Sequence, residues 1–213
     1  MRTVCAKNIS IRIGDIKLEG ELTIPHGSSC IVIFSHGSGS SRFSSRNKFV
    51  AKELHENNIS TLLFDLLTAE EDEFYPNRFN IELLTQRLVE VTTFVKKQPE
   101  CSAFKIGYFG ASTGAASAVR AAAFLPNIIS AIVSRGGRPD LAADLISEVK
   151  APTLLIVGEQ DTEVLNLNQE VFELLNCPKR LEIIPGATHL FEEPGKLKEV
   201  ALVATSWFSL YLK

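Results

Sequence analysis

The chain has 213 residues, 45% of them hydrophobic and 22% charged, so it can bury a substantial core, and we expect a single domain over residues 1–213. Its formal net charge is −3, and its lysines and arginines are scattered, which argues against nucleic-acid binding. The N-terminal stretch lacks the apolar core of a signal peptide, and no apolar run is long enough to span a bilayer. We therefore expect a cytoplasmic protein that does not enter a membrane.

The strands are predicted from eight apolar runs. The first two, at 4–13 and 16–24, are joined by Gly14-Asp15, a good hairpin turn, and are expected to pair at one edge. The third, at 31–35, is continuously apolar, which is typical of a central parallel strand covered on both faces. The others are predicted at 61–64, 104–109, 128–133, 153–157 and 180–184.

Helical patterns separate these strands. They lie at 45–57, from 81 until shortly before Pro99, and at 113–125, 140–149, 164–174 and 197–211. The acidic run at 70–73 and the stretch 75–78 are interpreted as a polar, solvated connection and not as a metal site. The alternation predicts an α/β protein with a mostly parallel eight-stranded sheet and helices on both faces.

One short stretch stands out chemically. The apolar run 104–109 leads into Gly110-Ala-Ser112-Thr-Gly114 and then into an alanine-rich helix. A strand, a tight turn and a helix in this order form a nucleophile elbow, with the serine at the tip of the turn. A Cβ at position 110 or 114 would collide with the neighbouring helix or strand, so both glycines are needed. We predict that Ser112 is a nucleophile.

A serine nucleophile needs a base within hydrogen-bond reach and an acid that orients the base. The carboxyl ends of parallel strands meet at one sheet edge, and the loops there hold Ser112, Asp161 and His189. This chain order is the one expected of α/β-hydrolases. For the acid, Asp140 is the main alternative to Asp161 and Asp65 a weaker one. Of the remaining histidines, His26 lies in an early turn and His55 on a helix. His36 is next to the loop after the third strand and is interpreted as structural.

The oxyanion that forms on the substrate needs preorganised donors. The backbone amide of Thr113 is one candidate. The second is expected in the loop after the third strand, where Ser38 is preferred and Gly37 is the alternative. A phosphate-binding reading of this glycine- and serine-rich loop is disfavoured, because the Lys-Ser/Thr that follows in phosphate loops is missing.

Four arginines lie in or beside the loops of this edge: Arg42, Arg46, Arg135 and Arg138. One interpretation is that these arginines are solvated or form structural ion pairs. The other is that they bind an anionic substrate through bidentate hydrogen bonds. Of these, Arg42 and Arg135, together with Gly37, are the candidate substrate-binding residues. The four cysteines, Cys5, Cys30, Cys101 and Cys177, are far apart and are expected to be free thiols, with no metal site and no disulfide framework.

Over nearly its whole length the chain resembles the α/β-hydrolase superfamily, and within it the dienelactone hydrolase-like group. The resemblance rests on four segments: Phe34-Ser-His-Gly-Ser-Gly-Ser-Ser-Arg42, Gly110-Ala-Ser-Thr-Gly114, Gly158-Glu-Gln-Asp161 and Gly186-Ala-Thr-His-Leu-Phe191. It implies a Ser112, His189 and Asp161 triad, hydrolysis of an ester or related acyl bond, and no cofactor. Dienelactone hydrolase proper has a cysteine nucleophile, so the serine here favours a carboxylesterase-like activity. Residues 135–152 are too few for the large helical lid of many superfamily members.

The sequence thus predicts a serine hydrolase that cleaves a small or medium acyl ester through an acyl-enzyme. The alternatives are a thioesterase, a peptidase or an acyltransferase on the same triad, or a ligand-binding protein without turnover. The expected partner is a small-molecule ester, and the chain is expected to be a monomer or a homodimer.

Overall fold

The computed structural model describes residues 4–213, with side chains from residue 6 onward. The first three residues, part of the N-terminal stretch assessed for a signal peptide, and the Cys5 thiol lie outside this description. The strands are β1 Val4–Ile13, β2 Ile16–Pro25, β3 Cys30–Ser35, β4 Ser60–Phe64, β5 Lys105–Ala111, β6 Ile129–Arg135, β7 Thr153–Gly158 and β8 Lys179–Ile184. The helices are α1 Ser45–Glu56, α2 Ala69–Glu73, α3 Ile81–Lys97, α4 Thr113–Phe124, α5 Thr162–Leu174 and α6 Lys196–Leu212.

The eight strands form one sheet in the order β1-β2-β4-β3-β5-β6-β7-β8. β1 pairs with β2, and β2 with β4, in antiparallel fashion, whereas the pairs from β4 through β3 to β8 are parallel. The predicted edge hairpin and mostly parallel sheet are therefore confirmed. β3 lies between β4 and β5 and is buried along its whole length, as its continuous apolar run predicts.

Helices cover both faces of the sheet, which is also as predicted. On one face, apolar side chains of α3, α4 and α5 pack on the strands, and the two neighbours α3 and α4 contact each other. On the other face, α1 and α6 pack together and on the strands. Because each face has its own apolar cluster, the central strands are shielded from water on both sides.

Two connections differ from expectation. Residues 140–149 do not form a helix but two 3-10 turns, Pro139–Ala142 and Ile146–Glu148. The polar connection at 70–73 is the short helix α2, followed by a 3-10 turn, Tyr75–Phe79. The start of α2 is fixed by a capping box. The Thr68 hydroxyl accepts a hydrogen bond from the Glu71 amide, and the Glu71 carboxylate accepts one from the Thr68 amide.

Among residues 4–213, no helix is long and apolar enough to cross a membrane, and no group of three or more His, Cys, Asp or Glu side chains is suited to hold a metal ion. Cys30 and Cys101 are buried free thiols, and Cys177 is a partly buried one.

Candidate active site

Ser112 lies in the turn between β5 and α4, with a backbone φ of 51° and ψ of −125°. Positive φ is unfavourable for a residue with a side chain, so the turn is strained at this position. Both neighbouring glycines are required by close backbone contacts. A Cβ on Gly110 would lie 2.5 Å from Ala115 Cα, and one on Gly114 would lie 2.2 Å from the Ser35 carbonyl oxygen. The elbow has the geometry that the sequence predicts.

Helix α4 begins directly behind Ser112. Its first turn carries no acidic side chain, and the Ser112 hydroxyl does not cap it. The partial positive charge of the helix N-terminus is therefore not neutralised by the chain's own residues there. An anion formed beside Ser112 would be stabilised by this end of the helix.

His189 follows β8 and contacts Asp161, which follows β7. The distance from His189 Nδ1 to Asp161 Oδ2 is 2.6 Å, and the Asp161 side chain is 14% exposed. A carboxylate can only accept a hydrogen bond, so His189 Nδ1 carries the proton and donates the hydrogen bond to Asp161. The other ring nitrogen, Nε2, is therefore available to other partners. Of the three aspartates considered, the other two bind arginines: Asp140 accepts from Arg138 at 2.8 Å, and Asp65 pairs with Arg42.

A close approach of two loops brings Asp161 and His189 together. Gly158, at the end of β7, lies against the loop before His189, where a Cβ would be 2.4 Å from the Ala187 carbonyl oxygen. The amide of Gln160 donates to the same carbonyl at 2.9 Å. The glycine at this position of the Gly-Glu-Gln-Asp segment thus allows the contact, and the hydrogen bond fixes it.

Ser112 and His189 face one cavity of about 250 Å³. Other residues that line it are Gly37, Ser38, Arg46 and Arg135. The backbone of β6 is joined to the elbow, since the Ser112 amide donates to the Arg135 carbonyl at 3.4 Å. This volume lies below the usual range for drug-sized ligands and suits a small substrate.

The loop after β3 forms another wall of the cavity. Gly37 passes close to the nucleophile, because a Cβ there would be 3.0 Å from Ser112 Cβ. The Ser38 amide donates to the Thr113 hydroxyl oxygen at 2.9 Å. His36 is structural, as expected: its Nδ1 bonds the Gly37 carbonyl at 3.0 Å, and its Nε2 accepts from the Leu66 amide at 3.1 Å. Burial lowers the pKa of His36, so the ring is neutral.

The four arginines separate into two pairs. Arg42 and Arg138 form ion pairs with Asp65 and Asp140 and do not line the cavity of Ser112. The other two do line it. The Arg46 guanidinium contacts Glu192 at 2.9 Å and keeps a side-chain exposure of 31%.

Arg135 is the unusual member of the four. It is only 7% exposed, and its guanidinium makes no hydrogen bond or ion pair with any residue in the range 4–213. It makes a cation–π contact with the Phe191 ring, whose centroid is 6.0 Å from Arg135 Cζ. Burial, and secondarily the charge of Arg46, lowers the pKa of Arg135 to about 10, so it remains charged at neutral pH.

Three features of the site were not found by sequence reasoning. The sequence predicts a role only for the Thr113 amide, yet the Thr113 hydroxyl accepts a hydrogen bond from the Ser38 amide. Asn47 lines the cavity, is 3% exposed, and its Oδ1 has no hydrogen-bond partner in the described part of the chain. Phe191 has a φ of 57° although its side chain is buried. No local sequence pattern marks the last two.

This sheet order, with a serine elbow after β5 and the Asp161–His189 pair after β7 and β8, defines an α/β-hydrolase fold. The sequence model of the dienelactone hydrolase family matches residues 50–209. The chain belongs to this family.

Solved structures agree with the assignment. The crystal structure of a dienelactone hydrolase from Anabaena variabilis is 50% identical, with a TM-score of 0.96, and each chain is covered to 99%. Est1E from Butyrivibrio proteoclasticus has the same fold at 19% identity, with a TM-score of 0.81 and coverage of 95% of this chain and 97% of its own.

Among curated proteins, the chain is 50% identical over 202 residues to a Mycobacterium tuberculosis protein provisionally named a phosphoribosyl transferase. The match covers 95% of this chain but 46% of that protein, so the chain spans about half of its length. A thiohydrolase of Aspergillus aculeatus, aneE, is 25% identical over 205 residues, covering 90% of this chain and 63% of its own.

Proposed function

We propose that the chain is a serine hydrolase that cleaves a small or medium acyl ester through an acyl-enzyme on Ser112. The observation that carries this proposal is the common cavity of Ser112 and His189, with the Asp161 carboxylate 2.6 Å behind the imidazole. Membership of a hydrolase family and the esterase fold of its structural neighbours support an ester as the substrate. The provisional transferase name of the longer relative gives no support for that activity here, because residues 50–209 match a hydrolase family.

In the proposed mechanism, the Ser112 hydroxyl passes its proton to His189 Nε2 while Oγ bonds to the acyl carbon. The carbonyl electron pair moves onto oxygen, next to the N-terminus of α4. When the intermediate collapses, the bond to the leaving alcohol breaks and the alcohol takes the proton from His189. A water molecule then attacks the acyl-enzyme with His189 again as base, which releases the acid and returns the proton to Ser112. Asp161 holds the imidazole in the required tautomer and stabilises its charged form.

A fluorophosphonate probe tests this proposal. We expect covalent labelling at Ser112, no labelling of Ser112→Ala, and much slower labelling of His189→Ala. The thermal unfolding midpoint of Ser112→Ala should not fall, since its hydroxyl caps nothing and the φ strain remains. Full esterase activity in Ser112→Ala would refute the nucleophile. A folded wild-type protein that takes no label would favour a ligand-binding protein instead.

A thioester is the second candidate substrate, and the name of the Aspergillus relative favours it. The triad would act in the same way, but the leaving group would be a thiol. The kcat/KM values of p-nitrophenyl acetate and of a matched aryl thioacetate decide between the two. Peptide cleavage and acyl transfer use the same acyl-enzyme, so adding an amine or alcohol acceptor and analysing the products separates them from hydrolysis.

We also propose that the substrate carries an anionic group that Arg135 binds. A buried guanidinium without a carboxylate partner is unfavourable unless a ligand supplies the opposite charge. Arg46 lines the same cavity, and its charge adds to the positive potential there. Among the arginines first considered, Arg42 is committed to Asp65 and is not part of this proposal.

The anionic group is tested with two esters, p-nitrophenyl acetate and the mono-p-nitrophenyl ester of succinate, on wild type and Arg135→Met. A charge-assisted hydrogen bond contributes about 1.5–3 kcal/mol, so kcat/KM for the succinate ester should fall roughly 10- to 100-fold. The loss on the acetate should be clearly smaller. Arg138→Met, which changes an arginine outside the cavity, serves as the control. Equal losses on both esters would contradict the proposal.

A further inference from the structure

The Thr113 hydroxyl occupies an unexpected place in the site. Thr113 directly follows the nucleophile, and its side chain is only 6% exposed. The Ser38 amide, which the sequence suggested as the second oxyanion donor, donates to Thr113 Oγ1 at 2.9 Å. The single N–H of Ser38 is therefore engaged by the Thr113 hydroxyl and is not free to donate to an oxyanion.

A threonine hydroxyl accepts through its lone pairs and donates one proton. In the structure Thr113 accepts from Ser38, and within residues 4–213 its own proton has no hydrogen-bonded acceptor. A hydrogen bond received on oxygen also polarises the O–H bond and makes it a better donor. A nearly buried donor that lacks an acceptor, beside a serine on which negative charge develops, is suited to bind that charge.

We propose that the Thr113 hydroxyl is a catalytic oxyanion donor, backed by the Ser38 amide. Thr113 then supplies two donors to the oxyanion, its backbone amide at the start of α4 and its side-chain hydroxyl. Ser38 acts through Thr113 and is a positioning residue. This inference rests on the proposed function, since it concerns the same acyl-transfer chemistry at Ser112.

Thr113→Val and Thr113→Ser test the inference. Valine keeps the shape of the side chain but removes the hydroxyl, whereas serine keeps the hydroxyl. We expect kcat for p-nitrophenyl acetate to fall at least 30-fold in Thr113→Val and to stay within about threefold of wild type in Thr113→Ser, because one oxyanion donor is worth roughly 100- to 1000-fold in kcat in comparable sites. KM should change little, since the donor acts on the transition state more than on the bound ester.

An arylboronic acid, which forms a tetrahedral adduct with a serine, gives a second readout. Its affinity should fall in parallel with kcat in Thr113→Val. If Thr113→Val does not show a cooperative thermal transition, Thr113→Ala takes its place in the same comparison.

Two results would overturn the inference. Unchanged or higher kcat in Thr113→Val would mean that the Ser38 amide binds the oxyanion itself once the hydroxyl is gone. A loss in Thr113→Ser equal to that in Thr113→Val would mean that the side chain acts by packing. Both differ from failure of the proposed function, in which the wild-type protein would not be labelled by the fluorophosphonate at all.

Discussion

The substitution Arg135→Met is expected to stabilise the protein while it weakens the site. Arg135 is 7% exposed, and no carboxylate within residues 4–213 pairs with it. Its pKa is lowered from the usual value of an arginine to about 10, first by burial and then by the charge of Arg46. At about 1.4 kcal/mol for each tenfold change, this corresponds to roughly 3 kcal/mol by which the fold disfavours the charged form.

One contact opposes this gain. The guanidinium lies 6.0 Å from the centroid of the Phe191 ring, and such a cation–π contact contributes about 0.5–2 kcal/mol. Methionine keeps the unbranched apolar stem of arginine, so little packing is lost. The desolvation of the charge is the larger effect, and the net gain should be about 2 kcal/mol. For a chain of this length the thermal midpoint should then rise by roughly 4 to 8 °C.

Thermal unfolding at pH 7 measures the effect. Arg138→Met is the matched control, because Arg138 donates to Asp140 at 2.8 Å and this hydrogen bond raises its pKa. The control should be neutral or slightly destabilised. A midpoint for Arg135→Met that is unchanged or lower would show that the charge of Arg135 is compensated in the fold, and would remove the main argument for an anionic substrate.

Three further changes test other parts of the site. Asp161→Asn should lower kcat by about four orders of magnitude without unfolding the protein, because an amide favours the wrong tautomer of His189; an activity assay with a thermal melt checks both. Gly114→Ala should lower the free energy of unfolding in urea by about 3 kcal/mol or more, since its Cβ would lie 2.2 Å from the Ser35 carbonyl oxygen. Below pH 6.5 the unfolded chain takes up a proton that neutral, buried His36 does not, so stability should fall with falling pH by up to about 1.4 kcal/mol per pH unit, and His36→Gln should reduce this slope.

The elbow and the strands could be predicted from sequence because their signals are local. The apolar run before Gly110 is short and ends at a glycine, which favours a buried strand over a helix, and the small residues after Ser112 favour a helix. The spacing from a strand favours Asp161 over Asp140 as the residue that orients His189, and the structure gives the physical reason. Asp140 is occupied by Arg138, two residues earlier in the chain, and so is not available to His189.

The failures have different causes. Ala142, Ile146 and Val149 are fully buried at helical spacing, yet Leu145 has φ of −121° and ψ of 0°, which interrupts the helix between two 3-10 turns that both contact α4 and α5. Here tertiary packing overrides the periodicity. Helix α2 lies where a polar connection is predicted, although a capping-box signal, Thr68-x-x-Glu71, is present in the sequence.

The arginines show what the sequence alone does not contain. All four are close to strand ends, but whether each is paired depends on carboxylates that come near it only in the folded chain. For Arg42 the partner is 23 residues away, and for Arg135 there is none among the described residues. The candidate anion site is therefore defined by the absence of an ion pair to Arg135 among the described residues. Such an absence produces no sequence pattern from which it could be predicted.

Three unfavourable local features lie together at one end of the sheet. Ser112 has a strained backbone, Arg135 is a buried charge without a counter-charge, and Phe191 has a positive φ; all three lie at or beside the cavity. Strain and uncompensated charge each cost free energy of folding and persist only where selection acts on something other than stability. Their coincidence at the carboxyl ends of β5, β6 and β8 is an argument for the location of the active site that does not depend on the identity of the triad.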